Sequence, residues 1–259
     1  MDGTVFDSVA ELYDRVRPQY PDGVFDDLAA LGRLQTGARI VEVGPATGQA
    51  TRTLARRGWS VTAIEPGASL AATATERLAD FPDVAIERSR FEDWDPPAGV
   101  AYDAVFAATS WHWVEPARGY SKAAGLLRPE GVLAVVTTHH VLPAGGDRFF
   151  VEIQKVYDEI EESDPRGGPP EPDAVTDPLG AEIADSGWFE PPETRRYVWS
   201  RTYTADDYID VLRTYSGHIV MTDAQRNRLF GAIRERIGQR AQPTVEKHYL
   251  NIVHVARRR

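Results

Sequence analysis

Cysteine is absent from the 259 residues, which excludes disulfides, thiolate metal sites and a cysteine nucleophile. Long apolar runs are missing too; the longest, such as 132–136, are far too short to cross a bilayer. The opening residues, MDGTVFDS, lack a basic start followed by an apolar stretch, so no secretory signal is expected and the expected location is cytoplasmic. Basic residues are outnumbered, 29 Lys and Arg against 39 Asp and Glu, for a formal net charge of −10. Such a surface repels phosphates and argues against a nucleic-acid partner. The one basic run, Arg257-Arg258-Arg259, reads as a solvated end. What remains is an ordinary folded composition, 42% hydrophobic and 26% charged. The length suits one large α/β domain or two small ones. A single domain over 1–259 is expected, as a monomer or homodimer. It would comprise a helical cap at 1–37, a core at 38–140 and a C-terminal half at 141–259.

No internal repeat interrupts the chain. Between 38 and 138 short β-branched runs alternate with longer helical stretches. The pattern predicts strands at 39–43, 60–65, 84–88, 102–109 and 132–138, with helices at 49–57, 68–80 and 116–127. Alternation at this spacing implies βαβ crossovers and a parallel sheet covered on both faces. Ahead of it, 5–31 reads as helical with a break at 17–21. Behind it come an amphipathic helix at 149–162 and a mobile loop at 163–178, which carries five prolines and two glycines. Two hairpin-like strands at 194–203 and 245–256 enclose helices at 205–215 and 223–240. The 205–240 insertion is expected to cap the functional edge of the sheet.

The first predicted strand runs into Val41-Glu42-Val43-Gly44-Pro45-Ala46-Thr47-Gly48-Gln49. In an open parallel sheet this end of the strand is where ligands bind. A dinucleotide turn requires glycine at relative positions one, three and six, but those positions hold Gly44, Ala46 and Gln49, and Glu42 would repel a diphosphate. Positions one, three and five hold Gly44, Ala46 and Gly48. That spacing, with an acid just upstream, resembles motif I of the class I S-adenosylmethionine-dependent methyltransferases. The chemistry agrees, because this cofactor has no phosphate and carries a cationic ammonium and sulfonium. A carboxylate beside it is favourable, and helix N-terminal amides can receive its carboxylate. Alanine at 46 is expected to be tolerated only with a negative φ.

Other segments agree in order and spacing: Glu65-Pro66 after the second strand, Arg90-Phe91-Glu92-Asp93-Trp94 after the third, Thr109-Ser110-Trp111-His112-Trp113 after the fourth, and Leu126-Leu127-Arg128-Pro129-Glu130-Gly131 before the fifth. Where Arg90 stands, many family members carry an aspartate. The opening Tyr13-x-x-x-Arg17-Pro18-x-Tyr20-Pro21 is similar to that of small-molecule enzymes of the methyltransferase type 11 or trans-aconitate methyltransferase-like kind. The resemblance implies a Rossmann-like, seven-stranded, mostly parallel sheet with an antiparallel last strand and a helical lid. The enzyme would move a methyl group from S-adenosylmethionine to an oxygen or nitrogen of a small acceptor, a carboxylate being one form. An NAD-dependent oxidoreductase and a cofactor-binding module without chemistry of its own are the rival readings.

The residues implied for the cofactor are Tyr13, Arg17, Glu42, Gly44, Ala46, Thr47, Gly48, Glu65, Pro66, Phe91, Glu92, Thr109 and Trp111. Glu65 would accept ribose hydroxyls, although an NAD enzyme places an acid there too. Thr47 also reads as a helix cap. Trp111 and Trp113 supply aromatic faces, and the alternative reading assigns one of them to core packing. Tyr20, His112, Trp113, His139 and Tyr215 are the acceptor-side candidates. His112 and His140 are the candidate general bases, since histidine titrates near neutrality. His139 and His140 are adjacent on a strand, so only one of them is expected to face the cleft. No metal-ligand set can be assembled.

Overall fold

In the computed structural model, residues 3–160 and 167–259 are described. Seven strands form one sheet: β1 (Arg39–Val43), β2 (Ser60–Ile64), β3 (Val84–Glu87), β4 (Tyr102–Ala108), β5 (Leu127–Val141), β6 (Glu193–Thr204) and β7 (Thr244–Arg257). Their order is β3-β2-β1-β4-β5-β7-β6. The first five pair in parallel, while β7 runs antiparallel to both β5 and β6. This is the expected mixed sheet with its last strand reversed. The winding changes direction between β1 and β4, so the cleft past their C-terminal ends is the natural ligand position.

The helices are α1 (Ala10–Val16), α2 (Asp22–Gly32), α3 (Gln49–Arg56), α4 (Ala68–Arg77), α5 (Pro116–Leu126), α6 (Phe149–Glu152), α7 (Gln154–Glu159), α8 (Leu179–Asp185), α9 (Ala205–Leu212), α10 (Ser216–Ile219) and α11 (Asp223–Gly238). Two-residue periodicity sorts the strand side chains onto two faces. Ile40, Phe106, Ala134 and Val136 pack against Phe25 and Leu28 of α2 and Leu54 of α3. Val41, Val43, Val105 and Val135 pack against Ala123 of α5 and Ile183 of α8. A third cluster joins α6, α7, α9 and α11 to Tyr203, Val245 and Tyr249 on the last two strands. α11 starts at a capping box, with Thr222 and Gln225 each satisfying the other's backbone N–H. Among the described residues no helix is long and apolar enough to cross a membrane.

Two expectations change. The helix expected at 149–162 is broken at Ile153 into α6 and α7, though Phe149, Phe150, Ile153, Val156 and Ile160 still share one buried face. The loop expected at 163–178 falls partly outside the described residues, and its remainder is pinned down. Leu142 N–H donates to Pro170 O at 2.8 Å, and Arg196 donates to Pro172 O at 2.6 Å. Asp177 accepts from Thr137 Oγ1 at 2.5 Å and from Leu179 N–H at 3.0 Å. Side chains at sequence-distant positions supply what the proline-rich composition does not reveal.

Candidate active site

Three neighbouring cavities lie along the C-terminal edge of the parallel strands. One of about 390 Å³ touches the ends of β1, β2 and β4; it is lined by Tyr13, Gly44, Ala46, Glu65, Pro66, Phe91, Glu92, Thr109 and Trp113, among others. A narrow one of about 60 Å³ shares Tyr13, Gly44, Ala46 and Thr109 with it and adds Arg17, Tyr20, Glu42, Tyr215, Tyr249 and Asn251. The third, about 600 Å³, meets the narrow one at Thr138 and Tyr215 and holds His139, His140, Tyr157, His218 and Lys247. The sequence therefore brings most of its candidate residues to one edge, in two compartments joined by a throat.

The turn between β1 and α3 is tight. Gly44 has φ 66°, and a Cβ there would sit 2.7 Å from the Cβ of Ser110. Gly48 has φ 93° and abuts Leu78 in the same way. Ala46 corrects the sequence reading: its φ is 52°, in the left-handed region. Its N–H is held by Glu65 Oε2 at 3.0 Å, while Glu65 Oε1 accepts from Gly67 N–H at 2.9 Å. Thr109 is likewise left-handed, at φ 58°. Its N–H donates to Val136 O, and its hydroxyl lies 3.1 Å from Tyr20 Oη and 2.9 Å from Thr138 Oγ1. Each conformation costs a non-glycine residue about 1–2 kcal/mol. Both strained residues line the cavities, which is where folded proteins store such strain.

Glu42 is 1% exposed, and its Oε2 has no hydrogen-bond partner. Burial, reinforced by the nearby Glu65 carboxylate, pushes its pKa up to about 8. Burial also raises Glu65, to about 7, against the two backbone amides that hold it. A buried, unpaired carboxylate oxygen beside the narrow cavity is a receptor for a cation and an obstacle to a diphosphate. These residues fit S-adenosylmethionine: an acid for the ammonium, an acid for the sugar, and the aromatic Phe91 on the wall of the wider cavity.

Several candidates are placed differently from expectation. Trp111 is buried between Phe91 and Tyr120, with ring centroids 5.9 and 5.4 Å away, and belongs to the core rather than a cavity wall. His112 is exposed against Trp113 and lines none of the three cavities. Its neighbours Trp111 and Trp113 take the inward positions of that 3-10 turn. Thr47 and Gly48 shape the turn from behind: Thr47 Oγ1 accepts from Gln49 Nε2 at 2.7 Å, and Gly48 N–H from the helix entry donates to Pro45 O. Trp113 lines the wider cavity, and Tyr20 the narrow one, with its hydroxyl 3.2 Å from Ala108 O. His139 and His140 both border the third cavity, where only one of them was expected; they still point to opposite sides of β5. His139 lies on the side of Thr137 and Asp177, His140 on the side of Phe150.

Lys247, Tyr249 and Asn251 escaped the sequence reading. All three are buried at alternate positions of β7. A lysine in phase with Val245 and Tyr249 on an inward-facing strand was the available signal. Lys247 is 2% exposed, and its Nζ lies 5.3–5.9 Å from the ring centroids of Phe150, Tyr208, Tyr215 and Tyr249. Arg17 is stacked between Tyr13 and Tyr215, 4.6 and 4.5 Å from their centroids, and donates to Thr214 Oγ1 at 2.9 Å.

Comparison with known proteins agrees with this geometry. A family model described as a methyltransferase domain matches residues 41–133. An uncharacterised methyltransferase of Mycobacterium tuberculosis is 27% identical over 230 residues, covering 89% of this chain and 84% of the relative. Among solved structures, a candidate type II methyltransferase from Anaeromyxobacter dehalogenans superposes with a TM-score of 0.62 at 21% identity, over 93% of this chain and 97% of that one. Phosphoethanolamine N-methyltransferase 2 of Haemonchus contortus, solved with S-adenosylhomocysteine, gives 0.53 at 13% identity, over 96% of this chain and 57% of that longer one. The structural likenesses fix the fold, and the family match and the curated relative point to the activity. Residues 41–133 match a methyltransferase domain, and the enzyme is an S-adenosylmethionine-dependent methyltransferase. Its cofactor is S-adenosylmethionine.

Proposed function

We propose that the enzyme methylates an oxygen or nitrogen of a small-molecule acceptor bound in the 600 Å³ cavity. The observation that carries this reading is the shared wall at Thr138 and Tyr215, where the acceptor compartment meets the narrow cavity beside Glu42. Glu42 would hold the cofactor's ammonium, Glu65 its ribose hydroxyls, and Phe91 with Glu92 its adenine. Tyr13, which lines both inner cavities, would cover it. The cofactor supplies a methyl group already activated on a cationic sulfur. What the chain contributes is alignment and exclusion of water, which can account for much of an in-line transfer.

Of the possible nucleophiles, a hydroxyl or amine is favoured over a carboxylate. Arg17, the residue placed to orient a carboxylate, already donates to both the hydroxyl and the carbonyl of Thr214. The reading is tested by calorimetric titration with S-adenosylhomocysteine and with NADH, followed by transfer of labelled methyl to a panel of small alcohols, phenols and amines. Binding of S-adenosylhomocysteine alone, with label in a member of the panel, is the expected result. Binding of NADH in its place, or label only in protein, overturns it.

A further inference from the structure

A hydroxyl or amine acceptor must lose a proton, and two of the histidines lining the acceptor cavity, His140 and His218, are poor recipients. Burial and the nearby Lys247 ammonium hold His140 well below its ordinary pKa and bring His218 down to about 4. The same ammonium has the opposite consequence for an acidic neighbour. A positive charge that makes a neutral imidazole a weaker base makes a phenol more easily a phenolate.

We propose that Tyr215 is the catalytic base, working as a phenolate held between Lys247 and Arg17. This rests on the acceptor occupying the 600 Å³ cavity. Tyr215 is the aromatic side chain that borders both that cavity and the narrow one beside Glu42. The Arg17 guanidinium carbon lies 4.5 Å from its ring centroid and the Lys247 Nζ 5.3 Å. Burial lowers the Lys247 pKa, and a negative charge on Tyr215 opposes that shift. Neither cation has an ion pair with a carboxylate among the described residues. Burial alone would raise the phenol, and Lys247 and Arg17 outweigh it, so that Tyr215 is shifted downward. Tyr249 is shifted upward, by burial and by the charge on Tyr215, and stays protonated. Its hydroxyl lies 2.8 Å from that of Tyr203. Tyr157 and His218 face the same space from α7 and α10, paired at 2.9 Å.

The step balances. The acceptor's O–H or N–H bond breaks and its proton passes to the phenolate oxygen. The freed electron pair forms the bond to the donated methyl carbon, while the pair of the breaking carbon–sulfur bond stays on sulfur. One negative and one positive charge disappear together, and Lys247 and Arg17 remain charged throughout.

The test is a spectrophotometric pH titration of the phenolate band, which needs neither acceptor nor cofactor. In the wild type, one tyrosine should ionise below the ordinary tyrosine range. Tyr215→Phe should remove that step, and Lys247→Met should move it upward by at least a pH unit, both with an unchanged circular dichroism spectrum. Tyr197→Phe, a tyrosine on the far edge of the sheet, should leave the step in place. No early step in the wild type, or an early step surviving in Tyr215→Phe, overturns the proposal. Should Tyr215→Phe fail to fold, the Lys247→Met shift decides: an early step unmoved there also overturns it. S-adenosylhomocysteine calorimetry on the same samples separates the two claims, since retained binding without an early phenolate sinks the base and leaves the cofactor reading intact.

Discussion

Glu65 clamps Ala46: one carboxylate oxygen accepts the Ala46 N–H at 3.0 Å, and the other accepts the Gly67 N–H at 2.9 Å. The end of β2 thus holds the turn after β1 in a left-handed conformation that alanine resists. Ala46→Gly should therefore stabilise the protein by about 1 kcal/mol, despite the larger entropy that glycine loses on folding. Glu65→Ala should cost more stability in the Ala46 background than in the Ala46→Gly background, with a coupling of roughly 0.5 kcal/mol or more. Thermal unfolding of the four proteins measures the cycle, and additivity would show that the clamp does not restrain the turn.

Glu42 makes stability fall with pH. Its folded pKa, about 8 against an ordinary 4.5, means the folded state holds the proton more tightly. The associated stability is complete below the unfolded value and is lost as pH rises through about 8. Glu42→Gln should match the wild type in acid and exceed it at alkaline pH, by on the order of a few kcal/mol. The same variant should bind S-adenosylhomocysteine more weakly, because the ligand's ammonium loses its carboxylate. Wild-type affinity should rise with pH until Glu42 is ionised, and the variant's should not. Parallel calorimetry across neutral pH tests this; an equal slope in both proteins would remove Glu42 from the ammonium site.

Asp177 works in the other sense. Burial would raise it, but the imidazoles of His139 and His254, 3.7 and 3.4 Å away, and the hydrogen bonds from Thr137 and Leu179 N–H dominate and hold its pKa far below the usual carboxylate range. Its contribution is present above the ordinary aspartate pKa and disappears as pH falls below it. Asp177→Asn should lower stability at neutral pH by about 1–3 kcal/mol, since it leaves buried donors facing an amide nitrogen. In acid the difference should narrow. Limited proteolysis should also open the 167–178 segment, whose anchor to β5 is this side chain. Unchanged protection there would show that Arg196 and Leu142 suffice to hold it.

The sheet was legible because its strands are short β-branched apolar runs bounded by turn residues, and run length with β-branching separates them from the longer helical stretches. Glu42, Gly44, Glu65 and Phe91 were legible because they sit at fixed offsets from strand ends. The third cavity was legible only in part, through His139, His140 and Tyr215. Tyr215 and Lys247 line the third cavity and Arg17 the narrow one beside it; they come from the loop before α10, the last strand and the opening segment, and meet only when all three fold. Ala46 and Trp111 show a finer limit. Whether a residue's φ is positive, or its ring faces a cavity instead of the core, depends on partners such as Glu65 and Tyr120 that no local pattern specifies.

Arg17 fastens the opening segment over the site. Its guanidinium lies between the rings of Tyr13 and Tyr215 and reaches Thr214 at the end of α9. Cation–π pairs contribute about 0.5–2 kcal/mol each, and a hydrogen bond to a charged donor about 1.5–3. A planar cation is needed to use both faces at once, so Arg17→Lys should not rescue what Arg17→Ala removes. Both variants should release the segment before α2 to proteolysis, weaken S-adenosylhomocysteine binding roughly tenfold or more, and leave the sheet's own unfolding transition nearly unmoved. Tyr13→Phe keeps the ring and should retain the binding; Tyr13→Ala should not. If Arg17→Lys instead binds like the wild type, charge near the narrow cavity matters and the stacked clasp does not.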